Sequence, residues 1–373
     1  MGLKTTRGDK GAPLKGRGAP SNLEGRFEIW KREAEDDGWS AESAPLAGDD
    51  APPPLATQVA HERAGTIITR NNSPDLSFDQ SINPYRGCEH GCVYCFARPS
   101  HGYLGLSPGL DFETRISAKT NAAEVLRREL AAPDYRCKVI ALGVNTDAYQ
   151  PVERELKITR SLLEVLAECE HPVALITKSA LIERDIDLLA PLAAKNLTRV
   201  FVSITNFDAA LARKLEPRAA APYRRVETIR RLAEARIPVG VMVAPVIPFM
   251  TDRDIEDILE RSRQAGATAA GYVLLRLPWE VAPLFKDWLA THYPLKSAHV
   301  MSLVRQMRGG KDYDSSFGIR GTGTGTFATL LEQRFRLACQ RLGLNPDRGP
   351  ALDTTRFKPP AGAADLQAQL GLF

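Results

Sequence analysis

The sequence contains no run of about 18 apolar residues, so it predicts no transmembrane helix. It also begins without the apolar segment that marks a secretory signal. A large excess of one charge is absent, because 49 Lys and Arg residues face 45 Asp and Glu residues and leave a net charge of +4. That charge alone does not indicate nucleic-acid binding. We therefore expect a cytoplasmic protein with no membrane partner.

Cysteine is also scarce, with six residues in 373, and its distribution is uneven. Three cysteines lie close together between positions 88 and 95. Thiols stay reduced in the cytosol, where closely spaced cysteines indicate metal ligation rather than disulfides. The other three (Cys137, Cys169 and Cys339) are scattered among apolar neighbours, and we expect them to be small buried side chains.

The first part of the chain, residues 1–62, is rich in Gly, Pro, Ala and charged residues. This composition predicts a disordered N-terminal tail and linker. Residues 26–30 within it contain a phenylalanine and a tryptophan, and because large aromatic side chains are rarely left in water, we expect a short docked helix there.

From about residue 78 onward, short apolar runs alternate with longer amphipathic segments. The pattern predicts six strands, at residues 76–83, 138–144, 173–177, 199–204, 239–244 and 271–277. Continuous apolar strands joined by helices indicate an α/β fold with a parallel sheet, either curled into a barrel or wound as an open sheet. In both forms the functional groups lie at the C-terminal ends of the strands.

The pattern changes after residue 290, and we expect a helical C-terminal extension over residues 291–373, with a helix at 327–342. A Gly- and Thr-rich stretch at 320–326 precedes that helix. Such a stretch can bind phosphate or form a flexible turn. It lacks the Gly-Lys-Ser/Thr ending of a P-loop.

The cysteine loop follows the first predicted strand, with Cys88, Cys92 and Cys95 in the spacing C-x3-C-x2-C. Soft thiolates select iron–sulfur clusters, zinc or copper(I). A structural zinc site normally has four ligands; no fourth cysteine lies nearby, although His90 could act as the fourth ligand. A cubic cluster on three thiolates leaves one iron open to another ligand. The residues by themselves are compatible with either a zinc site or an iron–sulfur cluster.

The loop resembles the signature of the radical S-adenosylmethionine (SAM) superfamily, including the aromatic Tyr94 directly before the last cysteine. The sequence of residues 81–113 is similar to sequences of the branch related to spore photoproduct lyase, often labelled "DNA repair photolyase". Within that branch it resembles an uncharacterised bacterial subgroup. The resemblance implies a partial (βα)6 TIM-like barrel over residues 63–290. It also implies a [4Fe–4S] cluster on the three cysteines and SAM bound at the open iron.

The same resemblance implies the chemistry. An external electron donor, similar to flavodoxin or ferredoxin, reduces the cluster. SAM is then cleaved to a 5′-deoxyadenosyl radical, which abstracts hydrogen from the substrate.

Polar residues at the strand ends, together with Tyr94, are the expected SAM contacts. Thr146, with Asn145 and Asp147 beside it, matches the position that meets the SAM amino group, although Thr146 and Asp147 could instead cap a helix. Lys178 suits the carboxylate, unless it is a surface lysine. The remaining contacts are Ser203 and Thr205 for the carboxylate or ribose, and the backbone of Ala244 for adenine.

A basic patch follows the fourth strand and could reach a phosphate or SAM, or form a solvated helix face; it comprises residues 216–218, Arg224 and Arg225.

The substrate is not specified by these residues. Spore photoproduct lyase uses a hydrogen-donor cysteine near the end of its second strand, and residues 143–146 contain none, so no catalytic residue is assigned. A nucleic-acid base is one candidate substrate, because Arg86, Arg98, His101 and Tyr103 lie near the cysteines in sequence. A peptide or a small molecule is another. The alternative to an enzyme is a zinc or iron–sulfur protein that binds nucleic acid or acts as a scaffold.

Overall fold

The computed structural model describes residues 14–27, 55–346 and 351–360. Its strands are β1 (Gln58–Glu62), β2 (Ile68–Arg70), β3 (Gln80–Ile82), β4 (Tyr85–Arg86), β5 (Arg115–Lys119), β6 (Ile140–Leu142), β7 (Val173–Thr177), β8 (Thr198–Ser203), β9 (Val239–Val246) and β10 (Ala269–Leu274).

Its helices are α1 (Asp111–Thr114), α2 (Ala122–Leu130), α3 (Glu153–Leu156), α4 (Ile158–Glu168), α5 (Ile186–Ala194), α6 (Ala209–Leu215), α7 (Pro222–Glu234), α8 (Ile255–Gln264), α9 (Val281–His292), α10 (Pro294–Gln306) and α11 (Gly325–Leu342). Short 3-10 segments lie at Arg98–Leu104, Ala180–Asp185 and Asp252–Asp254. No helix in these described ranges is long and apolar enough to cross a membrane.

The main sheet has seven strands in the order β10-β9-β8-β7-β6-β3-β2. All neighbours from β3 to β10 pair in parallel, and only β2 is antiparallel. The six parallel strands follow chain order without the reversal that defines a doubly wound sheet. This order is that of the predicted partial (βα)6 barrel, and each of the six predicted strands overlaps an observed one.

Amphipathic helices of the main domain bury their apolar side in the core around the sheet. In α4, Leu162, Leu163 and Leu166 are fully buried, at the spacing of three and four that places side chains on one helix face. Residues of β7 alternate between buried and half-buried, as expected for a strand covered on both faces. Cys169 and Cys339 belong to the buried core as predicted, whereas Cys137 is half-buried.

A second, three-stranded sheet, in the order β1-β5-β4, supports the cysteine loop. Strand β4 ends at Arg86, two residues before Cys88, and pairs antiparallel with β5. The start of the cysteine loop is thus tied to a fixed strand.

The described parts of the expected N-terminal tail lie against the domain. Strand β1 is paired with β5, so it belongs to the fold rather than to a linker. Residues 14–27 pack on the cysteine loop, with Ala19 only 1% exposed. Residues 26 and 27 form a turn, and residues 28–30 of the expected helix lie outside the described ranges.

The expected start of the C-terminal extension, residue 291, falls inside α9. Helices α9 and α10 were not individually predicted; α11 confirms the helix expected at 327–342. In the Gly-rich stretch, Arg320 forms an ion pair with Asp75 at 2.6 Å.

Candidate cluster and cofactor site

The cysteine loop wraps tightly because two glycines adopt backbone angles that other residues rarely adopt. Gly87 and Gly91 have φ values of +77° and +66°. Cys88 is 7% exposed and Cys92 8% exposed, and Cys95 is half-buried. Three thiols therefore lie on one short loop that is largely shielded from water.

Neighbouring segments hold this loop by its backbone. The amide of Cys88 donates to the carbonyl of Phe112 at 2.9 Å. The amide of Val93 donates to the carbonyl of Leu215 at 3.1 Å. Side chains also hold the loop. The fully buried Gln150 donates a hydrogen bond to the carbonyl of Gly87 and accepts one from the amide of Glu89.

His90 is engaged by a carboxylate. Its Nδ1 lies 3.4 Å from Oδ2 of Asp147, and His90 is 2% exposed. Asp147 also accepts hydrogen bonds from the Thr177 hydroxyl and the Lys178 amide. Burial alone would raise the pKa of Asp147, but the charge of His90 and these hydrogen bonds lower it to about 2. The Nδ1 side of His90 thus faces Asp147 and fixes the imidazole beside the loop.

Glu216 is the centre of a buried network beneath the loop. Its carboxylate accepts hydrogen bonds from the hydroxyls of Tyr94 and Thr205 and forms an ion pair with Arg225. Glu216 is 3% exposed and Arg225 1% exposed. Burial would raise the pKa of Glu216, but Arg225 and Lys178 lower it to about 2. The carboxylate is therefore charged and fully partnered.

Lys178 is the cation of the site that is left without a partner. Its Nζ lies 5.9 Å from the centre of the Tyr94 ring and makes no hydrogen bond or ion pair with any described residue. Burial alone would lower the pKa of Lys178, but Cys92 and Glu216 raise it. Lys178 is half-buried as a residue, and its charged ammonium group is free to bind an anion.

The other expected SAM contacts occupy two groups. Asn145 is exposed, and the Thr146 hydroxyl donates to the carbonyl of Tyr85 at 2.9 Å. Neither Thr146 nor Asp147 caps a helix, since α3 begins only at Glu153.

The second group lies at the ends of β8 and β9. Ser203 is buried, and the Thr205 hydroxyl lies 3.2 Å from the carbonyl of Ala244. Contacts through Thr205 and Glu216 join this group to Tyr94.

Sequence reasoning missed Asn206, which follows Thr205. It is 1% exposed, and neither atom of its side-chain amide has a hydrogen-bond partner. Buried amides are almost always paired, so the unpaired amide of Asn206 is available to a ligand at this strand end. The one signal in the sequence was its place directly after two expected contact residues.

Of the two alternatives for the basic patch, the solvated helix face does not hold for Arg225, which is buried against Glu216. The suggested base-contacting roles of Arg98 and His101 were also wrong, because both side chains are fully buried. Arg86 is paired with Glu62, whereas Tyr103 is 71% exposed.

The donor set fits a cubic cluster. No three Cys, His, Asp or Glu side chains among the described residues converge enough to share one metal ion. The three thiolates of a cube bind three different irons and need not converge on one point. Burial raises the pKa of the Cys92 thiol to about 12. The three thiols would hold three irons of such a cluster, and the fourth iron would be left without a ligand from these cysteines.

We predict that Arg225→Ala destabilises the protein strongly, because it leaves the Glu216 carboxylate buried without its cation. The expected loss in the free energy of unfolding is about 3–5 kcal/mol. Arg224→Ala is the matched control: its partner Glu183 retains Arg231, and the pair is partly exposed, so the loss should stay below about 1 kcal/mol. Urea unfolding measures both. Equal losses would contradict the central role of Glu216.

Comparisons with known proteins agree with this geometry. The model of the radical SAM superfamily matches residues 82–261. An uncharacterised protein of Mycobacterium bovis is 38% identical over 237 residues, which is 63% of this chain and 70% of that protein. An uncharacterised protein of Methanocaldococcus jannaschii is 26% identical over 213 residues, 57% of this chain and 76% of that protein.

Among solved structures, spore photoproduct lyase complexed with dinucleoside spore photoproduct is similar, with a TM-score of 0.53 and 17% identity over 77% of this chain and 80% of that one. A mutant of that lyase, solved with bound AdoMet and the same dinucleoside, has a TM-score of 0.52. At this identity the likeness shows a shared fold. Taken with the cysteine loop and the superfamily match, these findings show that the chain belongs to the radical SAM superfamily, whose members use a [4Fe–4S] cluster and SAM, and that it is a radical SAM enzyme.

Proposed function

We propose that Cys88, Cys92 and Cys95 hold the [4Fe–4S] cluster and that SAM binds beside it at the strand ends. When bound, the reduced cluster supplies an electron that cleaves SAM to methionine and a 5′-deoxyadenosyl radical, which takes a hydrogen atom from the substrate. The observation that carries the proposal is the position of the unpaired Lys178 ammonium. It lies near Tyr94 and Cys92, which both belong to the loop that bears all three thiols.

The residues divide the work of binding SAM between them. Lys178 takes the carboxylate as a charge-assisted partner. Ser203 and Asn206 meet the carboxylate or ribose, and the backbone of Ala244 meets adenine. Asn145 and Thr146 contact the amino group of SAM. Tyr94 lines the site with its ring, whose orientation is fixed by the hydroxyl's bond to Glu216.

The cluster determines the cellular compartment and the electron donor that we propose for the enzyme. Thiols that must stay reduced suit the cytoplasm. An electron donor similar to flavodoxin or ferredoxin supplies the electron from outside. Residues 63–290 form the catalytic core, preceded by the N-terminal segment 1–62 and followed by the extension 291–373.

The substrate we propose is a nucleic-acid base. Phe96 comes directly after Cys95 and is 40% exposed, with the guanidinium carbon of Arg276 4.6 Å from its ring centre. An exposed aromatic ring next to an arginine is a surface on which bases stack. The similarity to a lyase complexed with a dinucleoside supports the same class. Repair of spore photoproduct is not proposed, since residues 143–146 carry no hydrogen-donor cysteine.

SAM cleavage is the first test. After anaerobic reconstitution with iron and sulfide, wild-type protein given SAM and dithionite should form 5′-deoxyadenosine. Cys92→Ala should form none, because it lacks one cluster ligand, whereas Cys137→Ala removes a half-buried thiol outside the loop and should match wild type. Zinc bound in place of iron would overturn the proposal and favour a non-enzymatic protein.

The role of Lys178 is tested by SAM binding. Lys178→Met removes a charge-assisted hydrogen bond, so the Kd for SAM should rise about 10- to 100-fold. Iron content should be unchanged. Lys195→Met, which removes a lysine paired with Glu170 at the surface, is the control and should bind SAM normally. An unchanged Kd in Lys178→Met would remove this residue from the SAM site.

The substrate class is tested with single-stranded oligonucleotides. We expect them, and not peptides, to accelerate 5′-deoxyadenosine formation. Loss of one stacked base in Phe96→Ala should weaken oligonucleotide binding about 5- to 100-fold. The control is Phe317→Ala: this ring is 58% exposed and also lies near an arginine, but that arginine contacts Asp75. If oligonucleotides have no effect on wild type, the substrate belongs to another class.

A further inference from the structure

We propose that residues 14–27, called the strap below, position the cysteine loop and shield it, with Gly18 and Glu113 as the positioning residues. The proposal rests on the assignment of the cluster to Cys88, Cys92 and Cys95. It concerns a segment whose composition alone predicted a free tail.

The strap meets the loop at a point where only glycine fits. A Cβ atom on Gly18 would lie 1.8 Å from the carbonyl oxygen of Gly91, in the turn between Cys88 and Cys92. The requirement for glycine here is the close approach of two backbones. Ala19 follows, is 1% exposed, and shares an apolar cluster with Cys92 and neighbouring loop residues.

One buried carboxylate joins the strap to the loop. Glu113 accepts hydrogen bonds from the amides of Gly18, at 2.9 Å, and Ala19, at 2.8 Å. The same carboxylate pairs with Arg98, and both of these side chains are fully buried. Arg98 in turn donates to the carbonyl of Cys92 at 2.9 Å. A continuous chain of charge-assisted hydrogen bonds thus runs from the strap to the backbone of a cluster cysteine.

Hydrogen bonds on both sides of Gly18 and Ala19 fix the position of the strap. Toward its start, Arg17 donates to the carbonyl of Glu113 at 3.0 Å. Toward its end, Asn22 and Asp111 exchange two hydrogen bonds, of 3.2 and 3.0 Å. The Ser107 hydroxyl donates to the carbonyl of Leu23 at 2.6 Å. The strap is therefore fixed at three successive points along its length.

These contacts define what the strap does for the cluster. The potential and lifetime of an iron–sulfur cluster depend on solvent exposure and on the hydrogen bonds around its thiolates. With the strap in place, the backbone of Cys92 is fixed through Arg98, and the strap covers the side of the loop at Gly91, with Ala19 in the same apolar cluster as Cys92. Without it, Glu113 loses two donors and that side opens to water and oxygen.

Gly18→Ala in the full-length protein tests the proposal, because the added methyl displaces the strap without changing any residue of the loop. Gly65→Ala is the matched control: the same substitution is made where no atom lies within 4 Å and φ is not left-handed. Limited trypsin digestion with mass spectrometry reports strap release as new cleavage after Arg17. This readout works on protein without a cluster.

The reconstituted proteins are then compared by iron content, by the electron paramagnetic resonance spectrum of the reduced cluster, and by decay of visible absorbance in air. Gly18→Ala should be cleaved after Arg17, should lose its cluster in air at least about threefold faster than wild type, and should show an altered spectrum. Gly65→Ala should match wild type in all measurements.

Two results would overturn the proposal: an uncleaved strap in Gly18→Ala, or a released strap with unchanged cluster decay and spectrum. Failure of wild type to take up iron would instead count against the assignment of the cluster, and the trypsin result would still report whether the strap is seated through Gly18.

Discussion

The charge buried at Glu216 is the constraint on which the rest of the site depends. A carboxylate removed from water is costly unless cations and hydrogen-bond donors surround it. Here the partners come from three separate parts of the chain: Tyr94 from the cysteine loop, Thr205 from the end of β8, and Arg225 from α7. None of these elements can shift without exposing the charge, so the loop, the strand end and the helix hold one another in place.

Two other carboxylates hold the surroundings of the loop in the same way. Asp147 holds His90 from the side of β6 and β7, and Glu113 holds Arg98, which reaches the carbonyl of Cys92. Three acids therefore surround a loop of three thiols, each through a different side chain; Glu216 and Glu113 are buried, and Asp147 is half-buried. Their negative charges are met by cations or hydrogen-bond donors within the protein, and among the described residues of the site the ammonium of Lys178 remains available to a ligand.

Local patterns predicted much of this structure. The six parallel strands have apolar runs that can be seen in the sequence, and the cysteine spacing with Tyr94 pointed to the superfamily. The buried pairs could not be predicted in this way. Arg225 and Glu216 look like solvated residues on a helix surface, and Arg98 looks like a free cation near the cysteines. Only the three-dimensional arrangement brings each to its carboxylate. The strap was missed for a related reason: its Gly-rich composition is typical of a linker, while its fit depends on backbone contact with Gly91.

The order in which the chain is made has a consequence for the strap. Gly18 and its acceptor Glu113 are 95 residues apart, and the three cysteines lie between them. Synthesis proceeds from the N-terminus, at about 5–20 residues per second. The cysteine loop therefore always exists before the carboxylate that seats the strap has been made. Every newly synthesised chain therefore passes through a stage in which its thiols are uncovered on that side, and the strap can close over them only after Glu113 has been made.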